Sequence, residues 1–167
     1  MKDMKNTLVN GLTDMKLIKE TETFLTYDDE KSSLRIPFTI KNGCKKLFIT
    51  YSYSPKILED EEMSRKLIKE NLIRDAGDDA GEYTDYSEFM PLKNLITLSL
   101  ESPLEIVGAA HRQANEQYHE IGEDFASPGF VKCQITEGQW CLVLNVHAIV
   151  TDSVRCKIKI EAEEDTQ

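Results

Sequence analysis

Apolar residues recur at every second position through much of this chain, and that period limits what it can become. Leu34, Ile36, Phe38 and Ile40 alternate with Arg35, Pro37, Thr39 and Lys41. Side chains on a strand point to opposite faces in turn, so the pattern describes a half-buried strand. Pro37 has no N–H for a ladder, which places this strand at an edge or its nitrogen at a non-bonding position. Asn42-Gly43 then predicts a hairpin, because both residues tolerate positive φ. The returning strand sets Leu47, Ile49, Tyr51 and Tyr53 on one face and Phe48, Thr50, Ser52 and Ser54 on the other, and Pro55 ends it. An earlier strand is expected over 21–27, rich in β-branched and aromatic types.

The same period returns after residue 94. Ile96, Leu98 and Leu100 alternate with polar residues, and Leu104, Ile106 and Val107 follow. A polar stretch, 108–117, precedes Tyr118-His119-Glu120-Ile121. Residues 130–135 are predicted to be a strand. The strongest pattern puts Trp140, Leu142, Leu144, Val146, Ala148 and Val150 on one face, with Trp140 in the core. Thr151-Asp152-Ser153 is expected to close a hairpin into Val154, Cys156, Ile158, Ile160 and Ala162. Many short alternating strands with frequent turns, and no strand–helix alternation, predict an all-β fold. The expected architecture is an antiparallel β-sandwich, jelly-roll-like, with one helix and an acidic loop inserted between strands.

The insertion is expected at 56–92. From 58 to 74 the residues Met63, Leu67, Ile68, Leu72 and Ile73 fall at helical spacing. Glu59–Glu62 crowd the positive end of that helix and Gly77 follows its last turn. Residues 76–91 read as a mobile acidic loop. The leader, 1–18, is poorly patterned, with Met4, Leu8, Leu12 and Met15 at helical spacing interrupted by Gly11. The sandwich domain is expected over 19–162 and a solvated acidic tail over 163–167.

Composition narrows the function classes. With 167 residues the chain is long enough for one good core. Its net charge of −10 argues against nucleic acid and anionic membranes as partners. The charge is unevenly spread: residues 1–55 hold nine Lys/Arg against seven Asp/Glu, and residues 94–167 five against twelve. No run approaches the length of a membrane span or a signal-peptide core, so a cytoplasmic location is expected. Cys44, Cys133, Cys141 and Cys156 lack C-x-x-C spacing, which removes zinc-ribbon and thioredoxin readings. They read as reduced, buried thiols, with a Cys141–Cys156 bridge as the alternative.

The order of several pieces resembles a known family. These are Leu34-Arg35-Ile36-Pro37-Phe38, the strand 46–54, Asn94 to Leu100, a loop centred on Gly108, Ile121 to Phe130 with its Ser-Pro-Gly-Phe turn, and Glu137-Gly138-Gln139-Trp140. The series is similar to the small β-sandwich that precedes the catalytic barrel in some bacterial PHP-type (polymerase and histidinol phosphatase) metallophosphoesterases. The resemblance spans 33–162 and implies a non-catalytic sandwich. The barrel's His-x-His metal motifs are absent, so no phosphoesterase activity is implied. Where relatives carry a Gly-Trp-Ser-Gly-Gly-type run, this chain has Gly108-Ala109-Ala110-His111-Arg112-Gln113-Ala114-Asn115-Glu116.

That loop is the densest group of functional side-chain types. Arg112 and Asn115 suit a carboxylate, phosphate or sugar hydroxyl, and His111 or Glu116 suits proton transfer. Tyr83 and Tyr86 are candidate stacking platforms for a ligand. The metal-binding candidates are His111, His119 and His147, completed by Glu116 or Glu120 around a divalent transition metal. An EF-hand template started at Asp75 fails, because Ala80 stands where glycine is needed and Tyr86 where glutamate is needed. No G-x-S-x-G, phosphate loop or H-E-x-x-H occurs. The leading expectation is a non-catalytic module binding an unknown small molecule or protein, with no cofactor. One alternative is a small metal-assisted hydrolase or lyase with a His/Glu site. The other is a self-associating structural domain, a homodimer with Leu67 or Ile68 at its contact.

Overall fold

A computed structural model describes residues 14–42, 44–81 and 85–164. The expectations for Met4, Leu8, Leu12, Gly43, Tyr83 and the last three residues lie outside them. Eight strands form two four-stranded antiparallel sheets: β1 (Met15–Leu25), β2 (Ser33–Ile40), β3 (Cys44–Ser54), β4 (Leu95–Glu101), β5 (Ile106–Ala110), β6 (Glu116–Gly122), β7 (Gly138–Ala148) and β8 (Val154–Glu164). One sheet runs β1-β8-β3-β6 and the other β2-β7-β4-β5. Every pair is antiparallel, and successive strands change sheets at every step except β4 to β5, which is the strand order of a jelly roll. β2 and β3, expected as a hairpin, lie in different sheets instead, as do β7 and β8.

The two-residue period explains the core. Leu47, Ile49, Tyr51 and Tyr53 of β3 face Ile96, Leu98 and Leu100 of β4 and Leu142 and Leu144 of β7 across the gap between sheets, and all are almost fully buried. Burying each aliphatic side chain contributes about 1.5–3 kcal/mol. Trp140 also lies in this core, its ring stacked on Phe38 and its Nε1 donating to the Thr136 carbonyl at 2.9 Å. Pro37 sits on β2, which pairs only with β7 and so is an edge strand.

Three boundaries differ from expectation. The first strand starts at Met15, inside the expected leader, and ends at Leu25 rather than residue 27. Met15 and Leu17 are exposed on it, and a register shift between Leu17 and Lys19 breaks the alternation. Thr26 instead caps a short 3-10 turn, its N–H donating to Asp29 Oδ2 at 2.7 Å. At the other end β8 continues to Glu164, into the expected tail, because Met15 pairs with Glu163 and Lys16 meets Glu164 at 2.8 Å.

Residues 130–135 form no regular strand. They cross from one sheet to the other, so their backbone is shared among partners: Val131 donates to Val107, Cys133 to Gly122, and Ile135 accepts from Cys44. The polar stretch 108–117 also divides, its ends joining β5 and β6 and leaving only 111–115 as loop.

The insertion rises from a closed neck. Ile57 bridges Lys93, Leu58 N–H donates to Leu92, and Asn94 N–H donates to Lys56. Helix α1 (Glu61–Ala76) begins three residues after the start expected from spacing alone, capped by Asp60, whose Oδ1 accepts from Met63 N–H at 2.9 Å. Gly77, at φ 93°, donates its N–H to Ile73 and ends the helix. Among the described residues, no helix is long and apolar enough to cross a membrane.

Candidate functional site

The jelly-roll order sends the β1–β2, β3–β4, β5–β6 and β7–β8 connections to the same end of the sandwich. Hydrogen bonds tie them together there. Glu30 Oε1 accepts from Ile149 N–H at 2.8 Å, and Asn94 Oδ1 accepts from Val150 N–H at 2.7 Å. Asn94 Nδ2 donates to the Pro55 carbonyl at 2.9 Å and to Thr151 Oγ1 at 2.8 Å. Loops held by a rigid scaffold are where binding residues gather, so this end is the place to search.

The loop 111–115 does mostly structural work. Asn115 donates its Nδ2 to the Tyr53 carbonyl at 3.1 Å, and its own carbonyl accepts Tyr53 N–H at 2.9 Å. The carbonyls of Arg112 and Ala114 accept from Gln117 Nε2. The side chains of His111, Arg112 and Glu116 lie exposed on the surface. Tyr86 belongs to a 3-10 turn in the insertion, its ring under the Arg65 guanidinium at 5.9 Å. It helps hold that turn to α1.

Beneath the loop lies a feature that the sequence did not signal. Lys56 Nζ donates to Tyr53 Oη at 2.6 Å, to the Asn94 carbonyl at 3.0 Å and to the Gln113 carbonyl. All three acceptors are neutral, and desolvation pulls the ammonium's pKa below the ordinary lysine value. This cation stitches the two sides of the insertion neck to the β5–β6 loop. Nothing in the spacing of Lys56, Asn94 and Gln113 announces it, because only the sandwich topology brings them together.

The histidines do not converge. His119 points into the core from β6, fully buried, with its Nε2 2.9 Å from Gln117 Oε1 and its ring edge-on to Phe130. Burial, aided by the nearby Arg112 charge, lowers its pKa to about 4. His147 is exposed on β7, on the other sheet, 2.8 Å from Thr97 Oγ1. Among the described residues no three His, Cys, Asp or Glu side chains are placed to hold a metal ion. The constellation on which a metal-assisted reaction depended therefore does not form. None of the four cysteines is in a disulfide: Cys141 and Cys156 are buried, while Cys44 and Cys133 are half-buried rather than buried. The Cys141–Cys156 bridge is absent: Cys156 faces the core from β8, whereas Cys141 alternates with the core-facing Trp140 and Leu142 and so lies on the outer face of the other sheet. Burial pushes the Cys156 thiol up to about 11, which keeps it unreactive at neutral pH.

The same end carries a cleft of about 570 Å³ between α1 and the sandwich. Leu58, Met63 and Leu67 form its wall on the insertion side, opposite Tyr27, Ile149 and Val150 of the β1–β2 and β7–β8 connections. Among the described residues, Asp28, Asp60 and Asp152 supply every charge in its lining. Asp60 is engaged as the helix cap, whereas Asp28 and Asp152 make no ion pair among the described residues. Met63 and Tyr27 remain 41% and 61% exposed. Met63 and Leu67 were legible as an apolar stripe, but its facing wall comes from turns far away in the chain. Ile68, by contrast, is buried within the chain and is not available for a contact with a second copy.

No known protein family, curated protein or solved structure matches this chain. The assignment of function therefore rests on the cleft and its surroundings.

Proposed function

We propose that this protein is a non-catalytic binding module whose ligand or partner occupies the cleft between α1 and the sandwich. The observation that carries the reading is the cleft itself: a volume of about 570 Å³ walled by apolar side chains on both sides. That volume lies in the range of ligand sites. Its lining includes carboxylates and the hydroxyls of Thr26, Tyr27 and Thr151, with no His, Cys or Lys to serve as base or nucleophile. The resemblance to the accessory sandwich of bacterial PHP-type phosphoesterases supports the same role. Four cysteines without a disulfide suit a reducing compartment such as the cytoplasm.

A neutral, environment-sensitive dye such as Nile red tests the assignment. It should bind at one site per chain, and Leu67→Asp should abolish binding without altering the circular-dichroism spectrum. Absence of dye binding, or binding indifferent to Leu67→Asp, would refute it.

A further inference from the structure

The cleft's chemistry narrows its occupant. Its two walls are aliphatic and aromatic, so the occupant must present apolar surface of its own to displace water from Met63 and Tyr27. Its charges are all of one sign. Asp28 comes from the β1–β2 turn and Asp152 from the β7–β8 turn, and among the described residues no basic side chain lines the cleft to neutralise them. Acids crowd the surrounding chain as well, from Asp28 to Glu30 and from Glu59 to Glu62. An anionic ligand would meet uncompensated carboxylates. A second copy of this chain would bring another net charge of −10.

We infer that the occupant is a basic amphipathic peptide segment of a partner protein, its apolar side chains lying on Met63, Leu67 and Tyr27 and its Lys or Arg heads against Asp28 and Asp152. This rests on the reading of the cleft as the binding site. The division of labour follows from the geometry. Exposed carboxylates contribute little individually, so affinity comes chiefly from apolar contact, while the two aspartates set the sign of the partner and speed its approach. An amphipathic helix laid in a groove beside another helix is a recurring way of using such a surface.

The probe is an amphipathic Leu/Lys peptide of about four helical turns, compared with its Leu/Glu counterpart and with the neutral dye. The Lys peptide should bind the full chain, displace the dye, and bind at least tenfold more tightly than the Glu peptide. The double variant Asp28→Asn/Asp152→Asn should weaken the Lys peptide about tenfold. Glu123→Gln/Asp124→Asn, which removes the same charge from the β6–β7 connection at the opposite end, should have little effect. Dye binding with no preference for the Lys peptide would overturn the inference while leaving the binding-module reading intact. Equal weakening by the two double variants would also overturn it, because the attraction would then be one of net charge. Failure of dye and peptides alike would remove the binding-module reading, and this inference with it.

Discussion

His119 makes the stability of this fold depend on pH in a calculable way. The imidazole is fully buried on the inner face of β6, with Gln117 as its one hydrogen-bond partner and its Nδ1 unpartnered. Its native pKa is about 4 against 6.5 for the free side chain. The unfolded chain therefore takes up a proton as pH falls through 6.5, while the native chain refuses it until about 4. Stability is fully present above that window and drains away as pH falls across it. The two values give a loss of about 2 kcal/mol by pH 5 and about 3 kcal/mol by pH 4. Against a total of about 5–15 kcal/mol for a domain, that is a large share. Urea unfolding followed by the fluorescence of Trp140, the single tryptophan, measures it. Wild type should lose about 2 kcal/mol more than His119→Leu between pH 7 and 5, whatever the variant's stability at pH 7. His119→Gln provides the same comparison if the leucine variant fails to fold. Glu22 and Glu101, held below the usual carboxylate range by Arg155 and Arg35, titrate lower and are common to both proteins. Parallel pH profiles for wild type and variants would refute the reasoning, since they would mean the imidazole is solvated.

Three further substitutions probe the frame around the site. Gly108 has φ 145°, and a Cβ there would lie 2.2 Å from the Gly129 carbonyl oxygen and 2.8 Å from Phe130 Cα. Gly108→Ala should cost about 4 kcal/mol and lower the thermal midpoint by about 10 °C, with the melting curve as the check. Gly77→Ala, with open space around its Cβ, should cost only the backbone strain, about 1–2 kcal/mol. Asn94→Ala removes bonds to Pro55, Thr151 and Val150 from a fully buried position and should cost about 3 kcal/mol in urea unfolding.

The layers of this fold were legible wherever one face of a strand is buried and the other wet. β2, β3 and β8 meet that condition, and their alternation names the core residues one by one, whereas in β7 Cys141 and Val143 are buried along with Trp140, Leu142 and Leu144. β1 does not, because it is an edge strand with exposed Met15 and Leu17 and an irregular register, and its first residues pass for a leader. Residues 130–135 mislead in the opposite sense. Phe130 and Ile135 are buried, but the backbone between them crosses between sheets instead of following one. The site was harder to read. His111, Arg112 and Glu116 attract notice by residue type, yet they sit on the surface, while Asn115 satisfies the backbone of Tyr53. Asp28 and Asp152 look like ordinary turn residues. Their importance comes from the neighbouring positions of the β1–β2 and β7–β8 connections, and local sequence carries no record of that.

The neck of the insertion has a consequence for how this architecture tolerates change. Ile57 and Lys93 lie side by side, and Asn94 with Lys56 fastens both of them to the framework below. Whatever sits beyond that clasp can be lengthened, trimmed or exchanged without altering the strand pairing underneath. Half of the cleft, the half contributed by Met63 and Leu67, belongs to this replaceable portion. One jelly roll could thus acquire new recognition by swapping a single appendage.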